Sequence, residues 1–150
     1  MSLSYDVFTE GFLSKITEFE LLALEEGRRT EVVDGYMKRS IAGFKRICKY
    51  DLTAWDDVTR TIDVEIPDED IDEIVDIVSE GMVVQWLKPY LYRQEILENA
   101  LSTRDYAVFS PAELLMRVGN AYQKAQTDYT QMMREYSFNH GDLSVLHLHR

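Results

Sequence analysis

A long apolar repeat near the end of the chain constrains the fold more than any other feature of the sequence. Apolar side chains recur there at alternating steps of three and four residues, namely Leu115, Val118, Tyr122, Ala125, Tyr129, Met132 and Tyr136. This spacing predicts one face of a helix that packs lengthwise against other helices. Ser110, Pro111 and Glu113 predict its start, because they supply an N-cap, a first-turn proline and a capping-box carboxylate. We interpret the stripe as core, with a seam between subunits as the alternative.

Three earlier segments also have the apolar spacing of amphipathic helices. We predict helices over residues 5–16, 26–49 and 68–87, and a helical pattern resumes over 90–101 after Pro89, which should bend or stop the third helix. The expected core faces of the three helices consist of Phe8, Phe12 and Leu13; Val33, Tyr36, Met37, Ile41, Phe44, Ile47 and Cys48; and Ile71, Ile74, Val75, Val78, Met82, Val83 and Trp86. The chain has only seven glycines and three prolines, which favours long helices over a many-stranded sandwich.

Two segments break the helical pattern. Residues 59–66 alternate polar and apolar side chains and are rich in β-branched residues, so they predict one short strand or an extended arm, whose pairing partner would come from another subunit. Asn139 and Gly141 predict a helix break after Tyr136, which divides the chain into a helical domain, 1–136, and a C-terminal tail, 137–150. The predicted fold is all-α: a small helical bundle of about four to five helices with an extended acidic connection and an extended C-terminal tail.

The negative charge of the protein is concentrated in one segment. The net charge is −11, and residues 51–80 contain twelve acids but a single base, Arg60, whereas the flanking regions carry equal numbers of both signs. Such a segment repels a phosphate backbone, so the chain lacks the charge pattern of a direct nucleic-acid binder. Three interpretations stay open: a solvated loop leading into acids at a helix start, the lining of a passage for DNA, and a contact surface for a basic partner.

A calcium site in this acidic segment is disfavoured by the spacing of its acids. Asp68, Asp70 and Asp72 alternate as acids do at the start of an EF-hand loop. Glu73 stands where that loop requires glycine, and Ser79 stands where it requires glutamate.

The sequence also lacks the motifs of common catalytic and cofactor sites. It has no phosphate-binding glycine loop, no GxSxG elbow and no CxxC pair. Cys48 is predicted to be a reduced, partly buried thiol, and His147 with His149 would hold a metal only weakly. We therefore predict no cofactor, no metal and no enzymatic activity, with an enzyme of unrecognised site as the alternative. We find no pattern of a secretory leader or a membrane span, which favours the cytoplasm as the place of synthesis.

Three strings, in their order along the chain, resemble small head–tail connector proteins of tailed bacteriophages. Residues 35–45, GYMKRSIAGFK, resemble the long first helix of the core in that family. Residues 82–89, MVVQWLKP, resemble its middle helix, and residues 136–143, YSFNHGDL, resemble its ending. The likeness covers most of residues 8–146. It implies a neck component, also called a head-completion or adaptor protein, built as a small helical bundle.

The resemblance also implies partners and a place in the virion neck, after synthesis in the host cytoplasm. Such proteins usually assemble as a ring of twelve beneath the portal protein, extend the DNA channel and present a platform to the next neck or tail protein. They neither bind the passing DNA specifically nor contact a membrane. In that arrangement the acidic stretch 51–80 would suit the channel lining, with Asp63, Glu65, Asp68, Glu69 and Asp70 as candidates. The apolar end of the chain would suit partner binding, with Phe138, Leu143, Val145, Leu146 and Leu148 as candidates. The resemblance itself does not decide which segment has which role.

An alternative of a different class is an acidic DNA mimic that inhibits a nucleic-acid-binding protein. Such mimics usually carry carboxylates in two ordered rows over much of their surface. An acidic excess confined to one segment disfavours this alternative. Tight binding to a DNA-binding enzyme, competed by salt or DNA, would favour it.

Overall fold

The computed structural model describes residues 2–16, 29–92 and 111–140 of the chain. The described part contains four helices: α1 (Tyr5–Lys15), α2 (Arg29–Phe44), α3 (Asp68–Tyr92) and α4 (Pro111–His140). Three strands of two residues each accompany them: β1 (Leu3–Ser4), β2 (Trp55–Asp56) and β3 (Thr61–Ile62). The protein is mainly helical with little strand, which confirms the predicted all-α bundle. None of the described helices is long and apolar enough to cross a membrane.

Helix α1 forms because its apolar residues share one face and its first turn is capped. The Ser4 hydroxyl accepts a hydrogen bond from the Asp6 amide at 3.2 Å, so serine is the N-cap and Asp6 is a first-turn acid. Phe12, which is fully buried, meets the rings of Tyr36 in α2 and Trp86 in α3 edge-on, with centroids 6.0 Å away in each case. These aromatic contacts join three helices inside the core.

Helix α3 is the central element, because the other three helices all pack against it. Helix α4 runs antiparallel to α3, since His140 reaches Glu73 near one end and Gly119 lies beside Leu91 near the other. The predicted stripe of α4 is either buried or packed against the core, as Leu115, Val118, Tyr122, Ala125, Tyr129, Met132 and Tyr136. The stripe therefore packs within the chain, as predicted.

Helices α2, α3 and α4 cross closely at Gly81. The Tyr129 hydroxyl of α4 donates to the Ser40 carbonyl at 2.6 Å, and the Ser40 hydroxyl donates to the Val78 carbonyl at 2.7 Å. A Cβ atom added to Gly81 would meet the Ser40 hydroxyl and would lie 2.7 Å from a ring carbon of Tyr129. At Gly43, an added Cβ would lie 2.8 Å from the hydroxyl of the same tyrosine. Two glycines thus allow the helices to approach, and the hydrogen bonds fix where they cross.

The three strands form a small antiparallel sheet in the order β1-β3-β2. Leu3 and Trp55 both pair with Ile62, whose side chain is fully buried. The prediction of one strand over residues 59–66 is therefore too long, and its pairing with another subunit is wrong, because both partners of β3 come from this chain. Strands of two residues are too short to show the alternation that would have predicted β1 and β2.

Three predicted helix boundaries differ from those in the structure. Helix α2 ends at Phe44 rather than Lys49, and the Lys49 amide donates to the Tyr136 hydroxyl at 3.0 Å instead of continuing the helix. Helix α3 continues through Pro89, so the proline does not stop it. Helix α4 continues past the predicted break, and stacking of His140 on Tyr136, with centroids 4.5 Å apart, supports its last turn.

Two predicted core residues lie outside the core. Ile47 is 36% exposed, because α2 has ended before it, and Ile71 is half-buried but does not belong to the core cluster. The helical pattern over 93–101, the Ser110 cap and the tail over 141–150, with His147 and His149, lie outside the described residues.

Candidate functional site

The connection from β3 into the first turns of α3 carries five exposed acids that we call the acidic ridge, namely Asp63, Glu65, Asp68, Glu69 and Asp72. All five residues are exposed, and none of their carboxylates is bonded to another side chain of the described ranges. The last three lie in the first turns of α3, where the helix dipole stabilises negative charge without a counter-ion. The charge of the acidic ridge is therefore available to whatever approaches it.

Asp70 is the one predicted channel-lining residue that does not belong to the acidic ridge. It is half-buried, and its carboxylate accepts a hydrogen bond from the Tyr50 hydroxyl at 2.6 Å. This hydrogen bond raises the pKa of Tyr50 to about 12. Asp72 takes its place on the ridge, and its position four residues after Asp68, on the same helical face, is the signal that could have identified it.

The remaining acids of α3 are engaged within the chain. Lys15 of α1 forms ion pairs with Asp76 at 2.6 Å and with Glu80 at 3.0 Å. His140 at the end of α4 lies 3.2 Å from a carboxylate oxygen of Glu73. These pairings fasten α1 and α4 to α3, so the exposed acids of α3 that have no side-chain partner among the described residues all belong to the acidic ridge.

A second exposed feature is the hairpin formed by β2, β3 and the turn between them, residues 55–62. Val58 at its tip is 93% exposed, and its amide donates to the Asp56 carboxylate at 2.9 Å. Lys38 contacts Asp57 at 2.6 Å, and the Tyr5 hydroxyl donates to the same carboxylate at 2.9 Å. The hydrogen bond from Lys38, followed by that from Tyr5, lowers the pKa of Asp57. The turn is thereby tied to both α1 and α2.

Arg60 is the residue that anchors this hairpin most firmly. Its backbone φ is 53°, the left-handed region, and its carbonyl accepts a hydrogen bond from the Tyr5 amide at 3.0 Å. Its guanidinium makes two hydrogen bonds to Asp34, at 2.9 and 2.8 Å, and one to Asp6 at 2.8 Å. Holding a non-glycine residue in this region costs about 1–3 kcal/mol, which the surrounding contacts have to offset. The sequence showed Arg60 only as the lone base of an acidic segment.

We expect Arg60→Ala to lower the free energy of unfolding by about 1–2 kcal/mol, because three charge-assisted hydrogen bonds are lost from a partly exposed site. Amide hydrogen exchange over residues 55–62 should also become faster than in the wild type. Arg134→Ala, which removes an exposed arginine of α4, is the control and should change stability by less than about 0.5 kcal/mol. Equal exchange rates in the two variants would show that Arg60 does not anchor the hairpin.

The end of α4 carries a third exposed feature, the ring of Phe138, close in sequence to the buried ring of Tyr136. Tyr136 is buried, with its ring 5.0 Å from that of Phe44, and burial raises its pKa to about 12. Phe138, two residues later, is 74% exposed. It is the one predicted partner-binding residue that the structure describes; Leu143, Val145, Leu146 and Leu148 lie outside the described residues.

Cys48 has the environment of a structural thiol. It is half-buried, its sulfur lies 4.0 Å from the Tyr136 hydroxyl, and burial raises its pKa. A raised pKa reduces the thiolate fraction and hence the reactivity. Among the residues that the structure describes, no three His, Cys, Asp or Glu side chains are grouped so that they could hold a metal ion.

In comparisons with known proteins, no family model matches the chain, and no curated protein or solved structure is significantly similar to it. The function therefore has to be inferred from three surfaces: the acidic ridge, the hairpin tip and the exposed end of α4. All three are suited to contacts with other macromolecules.

Proposed function

We propose that this chain is a structural virion protein of a tailed bacteriophage, a head-to-tail adaptor made in the host cytoplasm and built into the virion neck. In this role, about twelve copies form a ring under the portal protein, extend the DNA channel and dock the next neck or tail protein. The acidic ridge is the observation that carries the proposal, in combination with the resemblance of the three sequence strings.

The acidic ridge has the charge that a DNA passage needs. Duplex DNA carries a negative charge for about every 1.7 Å of its axis, so a basic wall would bind it and slow its movement. Exposed carboxylates without counter-ions repel the phosphates and keep the passing DNA mobile. Asp63, Glu65, Asp68 and Glu69 would line the channel in this arrangement, joined by Asp72, while Asp70 supports Tyr50 behind them.

The exposed end of α4 supports the docking part of the proposal. A phenylalanine that is 74% exposed at the end of a 30-residue helix is suited to bury its ring in a partner. The apolar residues Leu143, Val145, Leu146 and Leu148 follow it in the sequence. We assign this end to contact with the portal protein or the next neck or tail protein.

Cryo-electron microscopy of phage-like particles, or of this protein mixed with a portal ring, tests the proposal directly. We expect a ring of this chain at the narrow end of the portal, with the acidic ridge facing the channel axis. If the protein stays free of portal rings and never occurs in particles, the adaptor function is wrong.

We further expect that reversing charge on the acidic ridge, as in Asp68→Lys with Glu69→Lys, makes the channel retain DNA. Short duplexes should bind assembled rings of this variant at least about tenfold more tightly at low salt, because lysines replace repulsion with phosphate contacts. Rings on the portal should still form. The matched control is Glu10→Lys with Glu31→Lys, which reverses two exposed acids of α1 and α2. If both variants retained DNA to the same extent, the acidic ridge would not be part of the channel wall.

The acidic ridge also favours the second candidate, a DNA mimic, because unpaired carboxylates can imitate phosphates. Its five acids all lie on one short segment, 63–72, whereas a duplex presents two long rows of phosphates. Tight binding to a DNA-binding enzyme that salt and duplex DNA both reverse would favour the mimic over the adaptor.

A further inference from the structure

The hairpin tip is a rigid, exposed element that the proposed channel does not use. A single exposed valine is ordinary on a protein surface. Val58 differs because Arg60 and Lys38 hold the turn behind it through ion pairs to Asp34, Asp6 and Asp57. A preorganised element loses little conformational entropy when it binds, which suits it to a contact.

The hairpin tip has a definite charge. Four acids and two bases lie in the turn and among the residues that hold it, namely Asp6, Asp34, Asp56 and Asp57 with Lys38 and Arg60. Both bases are already engaged by these acids. The tip therefore presents an apolar side chain within a negative surrounding, and the surface that fits it is apolar at its centre and basic at its edge.

The residues after α2 form a surface of that kind, which we call the basic end of α2. It consists of Lys45, Arg46, Ile47 and Lys49. Ile47 is 36% exposed, and Lys45 and Arg46 form no ion pair with a described acid. Lys49 lies over the ring of Tyr50, 5.8 Å from its centroid. Three exposed bases thus lie within two residues of one exposed apolar side chain.

The nearest acid along the chain leaves this positive charge uncompensated. The carboxylate of Asp51 accepts a hydrogen bond from the Thr53 amide at 2.9 Å and does not pair with the bases. The basic end of α2 therefore has both properties that the hairpin tip requires of a partner.

The two surfaces lie at different points along α2, and among the described residues no hydrogen bond or ion pair joins them. The tip is held by Lys38 and Asp34, which lie about 9 and 15 Å along α2 from its last residue, Phe44, at the usual helical rise. A contact between two different surfaces of identical molecules is heterologous: each copy offers its tip to one neighbour and its basic end to the other. Such contacts arrange copies head to tail.

We infer that the hairpin tip of one copy docks on the basic end of α2 in the next copy, with Val58 against Ile47. The negative charge about Asp56 then lies near Lys45 and Arg46. This inference rests on the proposed ring and names the contact between its subunits. A contact that depends on exposed charges is weakened by salt, so self-association should be strongest at low ionic strength.

A charge-exchange experiment on the full chain tests this contact, with self-association measured by sedimentation velocity at low ionic strength. Val58→Lys places a positive charge on a tip that is 93% exposed, and Lys45→Glu with Arg46→Glu reverses the basic end. Each variant alone should associate at least about tenfold more weakly than the wild type, since like charges then meet. An equimolar mixture of the two should associate again, because every tip then meets an end of opposite charge.

The mixture separates this contact from loss of folding, since two damaged proteins would not restore association. Met116→Lys, at a residue of α4 that is 66% exposed, is the control and should associate like the wild type. The inference is overturned if the wild type stays monomeric at low ionic strength, if Val58→Lys associates normally, or if the mixture does not recover.

Incorporation into portal complexes separates this inference from the proposed function. If both charge variants still form rings on the portal, the adaptor function stands and this contact between subunits is excluded. Self-association that follows the charge exchange, in a protein that never joins a portal, would support the contact and exclude the adaptor.

Discussion

Gly81→Ala lowers the free energy of unfolding by about 3 kcal/mol, the largest effect we expect from the addition of a single methyl group to this protein. The new Cβ would lie 2.7 and 2.8 Å from two ring carbons of Tyr129 and would also collide with the Ser40 hydroxyl. Neither neighbour can move freely, because the tyrosine hydroxyl is bonded to the Ser40 carbonyl at 2.6 Å and the serine hydroxyl to α3. The measurement is urea-induced unfolding followed by circular dichroism.

Gly35→Ala is the matched control for this prediction. An added Cβ there would meet only the flexible end of Arg39, at 3.8 Å. Alanine is the better helix former, so this variant should gain up to about 1 kcal/mol. If both glycine variants unfolded at the same urea concentration, the close crossing of α2, α3 and α4 would not limit stability.

Phe12→Ala should cost about 3–5 kcal/mol, because a large, fully buried ring is replaced by a cavity. The ring contacts Tyr36 and Trp86, so its removal weakens the attachment of α1 to both α2 and α3. Thermal unfolding should show a lower midpoint and a single transition, since the described helices share one core.

Phe138→Ala removes the same side chain from a position that is 74% exposed and should change stability by less than about 0.5 kcal/mol. The same variant is expected to weaken binding to the portal or the next neck protein. A large loss of stability in Phe138→Ala would mean that the ring is buried within the chain rather than available to a partner.

The helices could be predicted from sequence because their signals are local. The repeat from Leu115 to Tyr136 and the faces of α1 and α3 depend on spacing that any helix imposes on its apolar residues. Pro111 and Pro67 mark helix starts by the geometry of the proline ring. The sheet could not be predicted in this way, since β1 and β2 have two residues each and pair only through the tertiary fold.

The candidate surfaces were only partly predictable from sequence, because they also depend on contacts made by the tertiary fold. Composition identified the acidic segment, and the four-residue spacing places Asp68 and Asp72 on one helical face. No local pattern, however, could show that Asp70 binds Tyr50. The close approach at Gly81 depends on Tyr129, which comes from a distant helix. Exposure and pairing of a side chain are decided by elements far away in sequence, whereas charge and periodicity can be read locally.

The pairing of β3 with both β1 and β2 has a consequence for the order of folding. The hairpin can close from residues that are neighbours in sequence, whereas the Leu3–Ile62 pair requires the closure of a long loop that includes all of α2. The entropy lost in closing such a long loop delays the Leu3–Ile62 pair until the helices have packed. The backbone bond from Tyr5 to Arg60 spans the same loop. The hairpin can therefore close before β1 joins it, and we expect its tip to become fixed only when the Leu3–Ile62 pair has formed.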